Sequence, residues 1–104
     1  MQPIPSANFE ITQGPLADAT QTSATITWLL SQGGTGQVHY GTTTAYGSTS
    51  TEETSYLTSH ERTITSLTPG QQFHYKVVSV NEAAEIVESS DQTFTTPKIG
   101  RAHV

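Results

Sequence analysis

The sequence predicts an all-β domain in which two antiparallel sheets pack face to face. Threonine and serine account for 30 of the 104 residues, 19 and 11 respectively, and β-branched threonine suits strands better than helices. Apolar and polar residues alternate along several short segments that are separated by turn residues. No segment has the three- and four-residue apolar spacing of an amphipathic helix. A chain of this length supports one domain with one core.

The chain begins with a proline-containing segment and a short strand. Residues 1–8 show no apolar periodicity and are interpreted as a linker or leader into the domain. Residues 9–12 alternate between apolar and polar and predict the first strand. Gly14 and Pro15 then predict a break, because proline is tolerated mainly at the edge of a sheet.

The next two strands carry the centre of the predicted core. Residues 23–30 alternate most regularly, and their apolar face contains the only tryptophan, Trp28. Residues 32–34 predict a turn, because two of the three are glycine. Residues 37–40 predict a third strand, with Val38 turned inward.

Four further segments complete the expected seven strands. After a loop bracketed by glycines, residues 48–52 predict a weak polar strand and residues 57–67 a longer one. A Pro-Gly pair then predicts a tight turn, since proline presets φ and glycine accepts a positive φ. Residues 71–80 and 86–95 predict the last two strands.

One face of each strand supplies the predicted core. Side chains alternate between the two faces of a strand, so every second apolar residue points inward. The predicted core consists of Ile26, Trp28, Val38, Tyr40, Ile64, Leu67, Phe73, Tyr75, Val77 and Phe94.

Charge and cysteine content exclude several classes of protein. The net charge is −5, with 4 basic and 9 acidic residues, so no nucleic-acid partner is expected. No apolar run approaches the roughly 20 residues of a transmembrane helix, and no membrane insertion is expected. The absence of cysteine excludes disulfides, thiolate zinc sites and cysteine nucleophiles.

No combination of residues indicates catalysis or a bound cofactor. His39 and His74 are predicted on the outer face of neighbouring strands, but Lys76 shares that face and a third ligand is missing. His60 is interpreted as a local cap or an ion-pairing residue at the start of a strand. No serine lies in a nucleophile motif such as Gly-x-Ser-x-Gly. We therefore expect no catalytic, metal-binding or cofactor-binding residue, and no enzyme activity of the domain itself.

Two tyrosines are candidates for contact with a ligand. Tyr46 and Tyr56 are the two tyrosines that the predicted core does not require. Aromatic rings offer flat apolar surfaces with a polar edge, which suits a sugar or a protein partner. Two tyrosines on separate loops predict at most a weak carbohydrate-binding surface.

Four motifs occupy the predicted strands and turns. They are residues 23–28 (SATITW), 38–43 (VHYGTT), 67–70 (LTPG) and 93–97 (TFTTP). Over residues 9–97 the sequence resembles a bacterial branch of fibronectin type III domains. The resemblance implies an immunoglobulin-like sandwich with fibronectin type III topology.

The resemblance also implies a class of function. Such domains usually belong to secreted or surface multidomain proteins, which implies a non-catalytic spacer or protein-interaction module from a larger extracellular protein. A similar module precedes the catalytic domain of purple acid phosphatases. One alternative is therefore the N-terminal accessory domain of a secreted hydrolase, such as a metallophosphatase or a glycan-degrading enzyme, and a second is a weak carbohydrate-binding module. The implied partners are neighbouring domains of the same chain and a glycan or protein ligand, and the isolated domain is expected to be monomeric.

The last residues of the sequence are interpreted as not belonging to the natural protein. Residues 99–104 (IGRAHV) are encoded by ATC GGA AGA GCA CAC GTC, which resembles a short-read sequencing adapter in one reading frame. Residues 98–104 are therefore interpreted as an artefactual tail, and the domain as residues 9–97.

Overall fold

Seven strands and no helix run through residues 9–98, the part of the chain that the computed structural model describes. The strands are β1 (Ile11–Ala19), β2 (Ala24–Gly41), β3 (Ser48–Thr49), β4 (Glu53–Ile64), β5 (Gln72–Val80), β6 (Ile86–Glu88) and β7 (Gln92–Thr95). This confirms the predicted all-β class. The expected leader over 1–8 and the tail beyond Lys98 lie outside the described residues.

Strand β2 belongs to both sheets of the sandwich. Its first half pairs antiparallel with β1 on one side and β4 on the other, which forms the first sheet. Its second half pairs antiparallel with β3 and β5, and β5 pairs with β6 and β7, which forms the second sheet. The two sheets are therefore joined through one continuous strand.

The turn predicted at 32–34 does not end a strand. β2 continues through it for 18 residues and doubles back on itself. Ala24 lies opposite Ile64, and Gly41 lines the same cleft as Thr65, so both ends of β2 lie at one end of the sandwich. The prediction of a strand boundary is wrong because the glycines here permit curvature while backbone pairing continues.

Strand β4 follows β2 around the bend. The pairing shifts register between Leu29 and Gly34, and again between Gly34 and Gly36. A side chain at Gly36 would not fit, because its Cβ would lie 2.5 Å from His60 Nδ1 and 2.9 Å from Trp28 Cζ2. Glycine therefore allows two rings to pack directly against the backbone of the bend.

The first strand also extends further than predicted. β1 does not stop at Gly14-Pro15 but continues to Ala19, with a shift in register between Gln13 and Leu16. This irregularity accommodates Gly14, whose φ is +86°, and a proline that cannot donate to the ladder.

Three other strand boundaries differ from prediction. The strand expected over 57–67 runs from 53 to 64, and the one expected over 48–52 is reduced to two residues. The strand expected over 86–95 is divided in two. The division occurs where the Ser89 hydroxyl accepts the Val77 N–H at 3.0 Å, so a side chain replaces a ladder partner.

The apolar core lies between the two sheets. Eight residues of the predicted core are buried, namely Ile26, Trp28, Val38, Ile64, Leu67, Phe73, Tyr75 and Val77. Tyr40 and Phe94 are partly buried and pack against them. Trp28 is only 2% exposed, and its Nε1–H donates to Ser79 Oγ at 3.1 Å. Because Ser79 belongs to β5, this hydrogen bond joins the two sheets through the core.

His60 is a core residue and neither a cap nor an ion pair. It lies inside β4, opposite Trp28, and is 3% exposed. Its ring stacks on the Trp28 ring with the centroids 5.3 Å apart. The interpretation of His60 as a cap or an ion-pairing residue is wrong because this imidazole supplies aromatic packing and a hydrogen-bond donor where the strands bend.

Trp28→Ala is expected to lower the free energy of unfolding by about 3–5 kcal/mol, because it removes a large buried side chain and leaves a cavity. Thr27→Ala, one residue away on the other face of β2, is the matched control and should cost no more than about 1 kcal/mol. Chemical denaturation followed by circular dichroism measures both. Equal losses would contradict the assignment of inward and outward faces.

Gly36→Ala is expected to cost about 1–3 kcal/mol of unfolding free energy, since the new methyl group would press on two packed rings. In a His60→Ala background the same substitution should cost less, because the imidazole no longer fills that space. Denaturation of the four proteins in this double-mutant cycle gives the difference. An equal cost in both backgrounds would show that Gly36 and His60 do not interact.

Candidate functional site

Three polar side chains meet on the outer face of the second sheet. Tyr46 Oη donates to Asp91 Oδ1 at 2.8 Å, and His74 Nδ1 lies 2.9 Å from Asp91 Oδ2. Tyr46 comes from the loop between β2 and β3, His74 from β5, and Asp91 from the turn between β6 and β7. One carboxylate therefore ties together three segments that are distant in sequence.

An ion pair flanks these residues. Lys76 Nζ lies 2.7 Å from Glu88 Oε1 and 5.4 Å from the centre of the Tyr46 ring. A cation at this distance from an aromatic ring is attracted to its face. Tyr46 is thus held both at its hydroxyl and at its ring. We refer to the five residues Tyr46, His74, Lys76, Glu88 and Asp91 as the Asp91 cluster.

The cluster shifts the pKa of two of its members. The hydrogen bond from His74 is the main cause that lowers the pKa of Asp91, and the hydrogen bond from Tyr46 adds to it. Partial burial, followed by the hydrogen bond to Asp91, raises the pKa of the Tyr46 phenol. Both shifts favour an ionised Asp91 beside a neutral Tyr46, which is the state that forms the hydrogen bond between them.

His39 does not join His74 in a metal site. In the ladder between β2 and β5, His39 lies opposite Lys76, and His74 lies opposite Gly41. Lys76 is the strand partner of His39, and its positive charge would oppose a divalent cation. Across residues 9–98, no three His, Cys, Asp or Glu side chains are arranged to hold a metal ion.

The second candidate tyrosine lies at the other end of the molecule. Tyr56 is 49% exposed and borders a cleft with Asn81 and Glu82, where β5 ends. Tyr46 borders a cleft with Phe73, where β5 begins. The structure therefore does not bring Tyr46 and Tyr56 together into one binding platform.

Sequence reasoning missed the role of Asp91. Its position shows no local pattern, since it lies in a short turn among other polar residues. The available signal is the pairing of β5 with β7, in which His74 lies opposite Thr93, two residues after Asp91. A histidine on an outer strand face and an acidic residue just before the paired strand together indicate such a contact.

Several solved structures share this architecture at low sequence identity. The sensor domain of the anti-sigma factor RsgI4 from Pseudobacteroides cellulosolvens is 22% identical, with a TM-score of 0.67 over 93% of this chain and 97% of that chain. The sixth fibronectin type III domain of human fibronectin type III domain containing protein 3 is 17% identical, with a TM-score of 0.61 over 95% of each chain. The fibronectin type III domain of the human KIAA0970 protein is 17% identical, with a TM-score of 0.59 over 92% of this chain and 77% of that one. No protein-family model and no curated protein sequence matches the chain.

The chain has the fibronectin type III fold. This confirms the predicted sandwich of two antiparallel sheets, and at these identities the likeness establishes the fold alone. In a fibronectin type III fold the end loops and outer faces are the surfaces on which function varies, because the inner faces are committed to the core. The Asp91 cluster lies on such an outer face and reaches one end loop through Tyr46. No helix within residues 9–98 is long and apolar enough to cross a bilayer.

We expect the Asp91 carboxyl to titrate below the ordinary aspartate pKa of 3.8 and its midpoint to rise in His74→Ala. Because the folded-state pKa is lowered, the cluster contributes its full stability above the unfolded-state pKa and loses it as the pH falls through the lower folded value. Carbon-13 NMR of the side-chain carboxyl follows this titration. His39→Ala, which lies on the same sheet face without contacting Asp91, is the control, and an unchanged midpoint in His74→Ala would contradict the assignment.

Proposed function

We propose that the chain is a non-catalytic module of a larger extracellular protein, acting as a spacer or as a protein-interaction domain. The fold neighbours support this proposal, since they are described as a sensor domain and as fibronectin type III domains. We further propose that residues 9–97 fold as one independent unit. An accessory domain of a secreted hydrolase would need the same fold and the same placement of its ends. The two proposals differ only in the identity of the neighbouring domain.

The observation that carries the proposal is the placement of the two ends of the described chain. Phe9 packs at the bend of β2, where a Cβ on Gly34 would lie 2.6 Å from its ring. Lys98 lies at the opposite end, where its carbonyl accepts a hydrogen bond from Gln21 at 3.2 Å. Flanking segments would therefore leave from opposite ends, which is the geometry of a spacer between neighbours.

The contacts of the polar side chains favour a structural or binding role over catalysis. The His60 Nε2 contacts two backbone carbonyls, and His74 contacts the Asp91 carboxylate. Neither imidazole is paired with a nucleophile in these contacts. Arg62 lies 3.8 Å from Glu53, so this charge too is directed at a neighbour on the protein surface.

The spacer geometry is testable by distance measurement between spin labels. The chain lacks cysteine, so Glu10→Cys with Lys98→Cys places labels only at the two ends. A narrow distribution near about 30 Å, the length of a nine-residue strand, is expected by electron double resonance. Glu10→Cys with Glu82→Cys, both at the bend, is the matched control and should give a clearly shorter distance. Similar distances for the two pairs would refute a spacer whose ends leave from opposite sides.

A further inference from the structure

A cleft of about 470 Å³ opens at the end of the sandwich where β2 finishes and β5 begins. The loop between β2 and β3 forms one wall, and residues 65–68 form the other. Its volume lies within the roughly 300–1,000 Å³ of small-molecule sites. None of the side chains that line the cleft carries a charge at neutral pH, although the protein has a net charge of −5. The lining therefore favours an uncharged ligand.

Aromatic rings and hydroxyl groups line this cleft. Tyr40 and Tyr46 contribute partly buried rings, and Thr42, Ser48 and Ser66 contribute exposed hydroxyls. Within residues 9–98, these three hydroxyls donate to and accept from no other protein group, so they remain available to a ligand. A hydroxyl both donates and accepts, and an aromatic ring packs against the C–H face of a sugar.

Backbone strain is concentrated in the same walls. Tyr46 and Ser66 both have a φ of +63°, and only one other non-glycine residue within 9–98, Ala84, has a positive φ. Residues other than glycine adopt this region at a cost, and such residues cluster at ligand sites. The strain thus falls on one residue of each wall of the cleft.

Both walls are fastened to the body of the sandwich. The Asp91 cluster fixes the first wall through the Tyr46 hydroxyl. The second wall is fixed by the Leu67 N–H, which donates to the Thr22 carbonyl at 2.8 Å, and by Thr96 Oγ1, which donates to the Thr68 carbonyl at 2.6 Å. A cleft held open in this way binds without the cost of ordering its loops.

From these observations we infer that the cleft binds a neutral oligosaccharide. This inference deepens the proposed interaction function and rests on it, since a non-catalytic domain would use the cleft for recognition. The cleft at Tyr56 does not offer the same chemistry, because Glu82 and Glu85 line it. Tyr56 therefore provides a matched control at the far end of the fold.

The test is a titration of the nitrogen-15-labelled full chain with cellohexaose, xylohexaose and laminarihexaose, followed by heteronuclear NMR. With at least one of these probes, saturable shifts confined to residues 40–48 and 65–73 are expected at concentrations up to about 10 mM, a range that detects millimolar dissociation constants. Hexagalacturonate, which is charged, should bind at least about tenfold more weakly. No saturable shift with any neutral probe, shifts centred on Tyr56, or equal binding of hexagalacturonate would each overturn the inference.

Variants separate recognition from folding. Tyr46→Ala should abolish saturable binding, whereas Tyr56→Ala should leave it unchanged. Thr42→Val keeps the side-chain shape, and Ser66→Gly keeps the left-handed backbone, so each should weaken binding about threefold to tenfold through the loss of one hydrogen bond. Unchanged affinity in both of these variants, with folding verified by thermal melting, would overturn the inference. The spin-label distances do not depend on this result, so failure of sugar binding is distinguishable from failure of the spacer geometry.

Discussion

The fold depends on one packing constraint, which is that β2 must double back while it remains hydrogen-bonded. Trp28 and His60 stack on the inner side of this bend, and Gly36 lets both rings approach the backbone. The indole N–H then reaches Ser79 in the opposite sheet. The same group of residues therefore turns the strand, fills the core and fixes the distance between the sheets.

The imidazole of His60 also satisfies the backbone where the ladder is irregular. Around the shift in register, Nε2 lies 2.7 Å from the Gly34 carbonyl and 2.9 Å from the Leu57 carbonyl. Two carbonyl acceptors require a hydrogen on Nε2, so this nitrogen is the donor of the ring. Buried carbonyls without a partner are costly, so the histidine stabilises a bend that regular pairing alone would leave unsatisfied.

Local patterns in the sequence account for the faces of the strands but not for their contacts. Alternation around Trp28 and along β5 indicates which side chains point inward, because that periodicity follows from strand geometry alone. The same local rules assign a turn to the glycines of the bend and a cap or ion pair to His60, since the pairing of β2 with β4 joins residues between 17 and 40 positions apart. The contacts of Asp91 and the lining of the cleft cannot be predicted from local patterns for the same reason. Each joins segments that are distant in sequence and that only the folded sheets bring together.

The two ends of the sandwich differ in the contacts that their backbone makes. At the bend, Trp28 and His60 pack directly against the backbone at Gly36, and the cleft beside them is lined by the acidic Glu82 and Glu85. At the other end, Tyr46 belongs both to the Asp91 cluster on the sheet face and to the wall of the cleft. Its hydroxyl is bound by Asp91 on the sheet face, and its backbone, with a φ of +63°, belongs to the loop that forms one wall of the cleft. A single tyrosine thus couples the rigidity of the second sheet to the shape of the end surface, and the ionised Asp91 is the group through which that coupling acts.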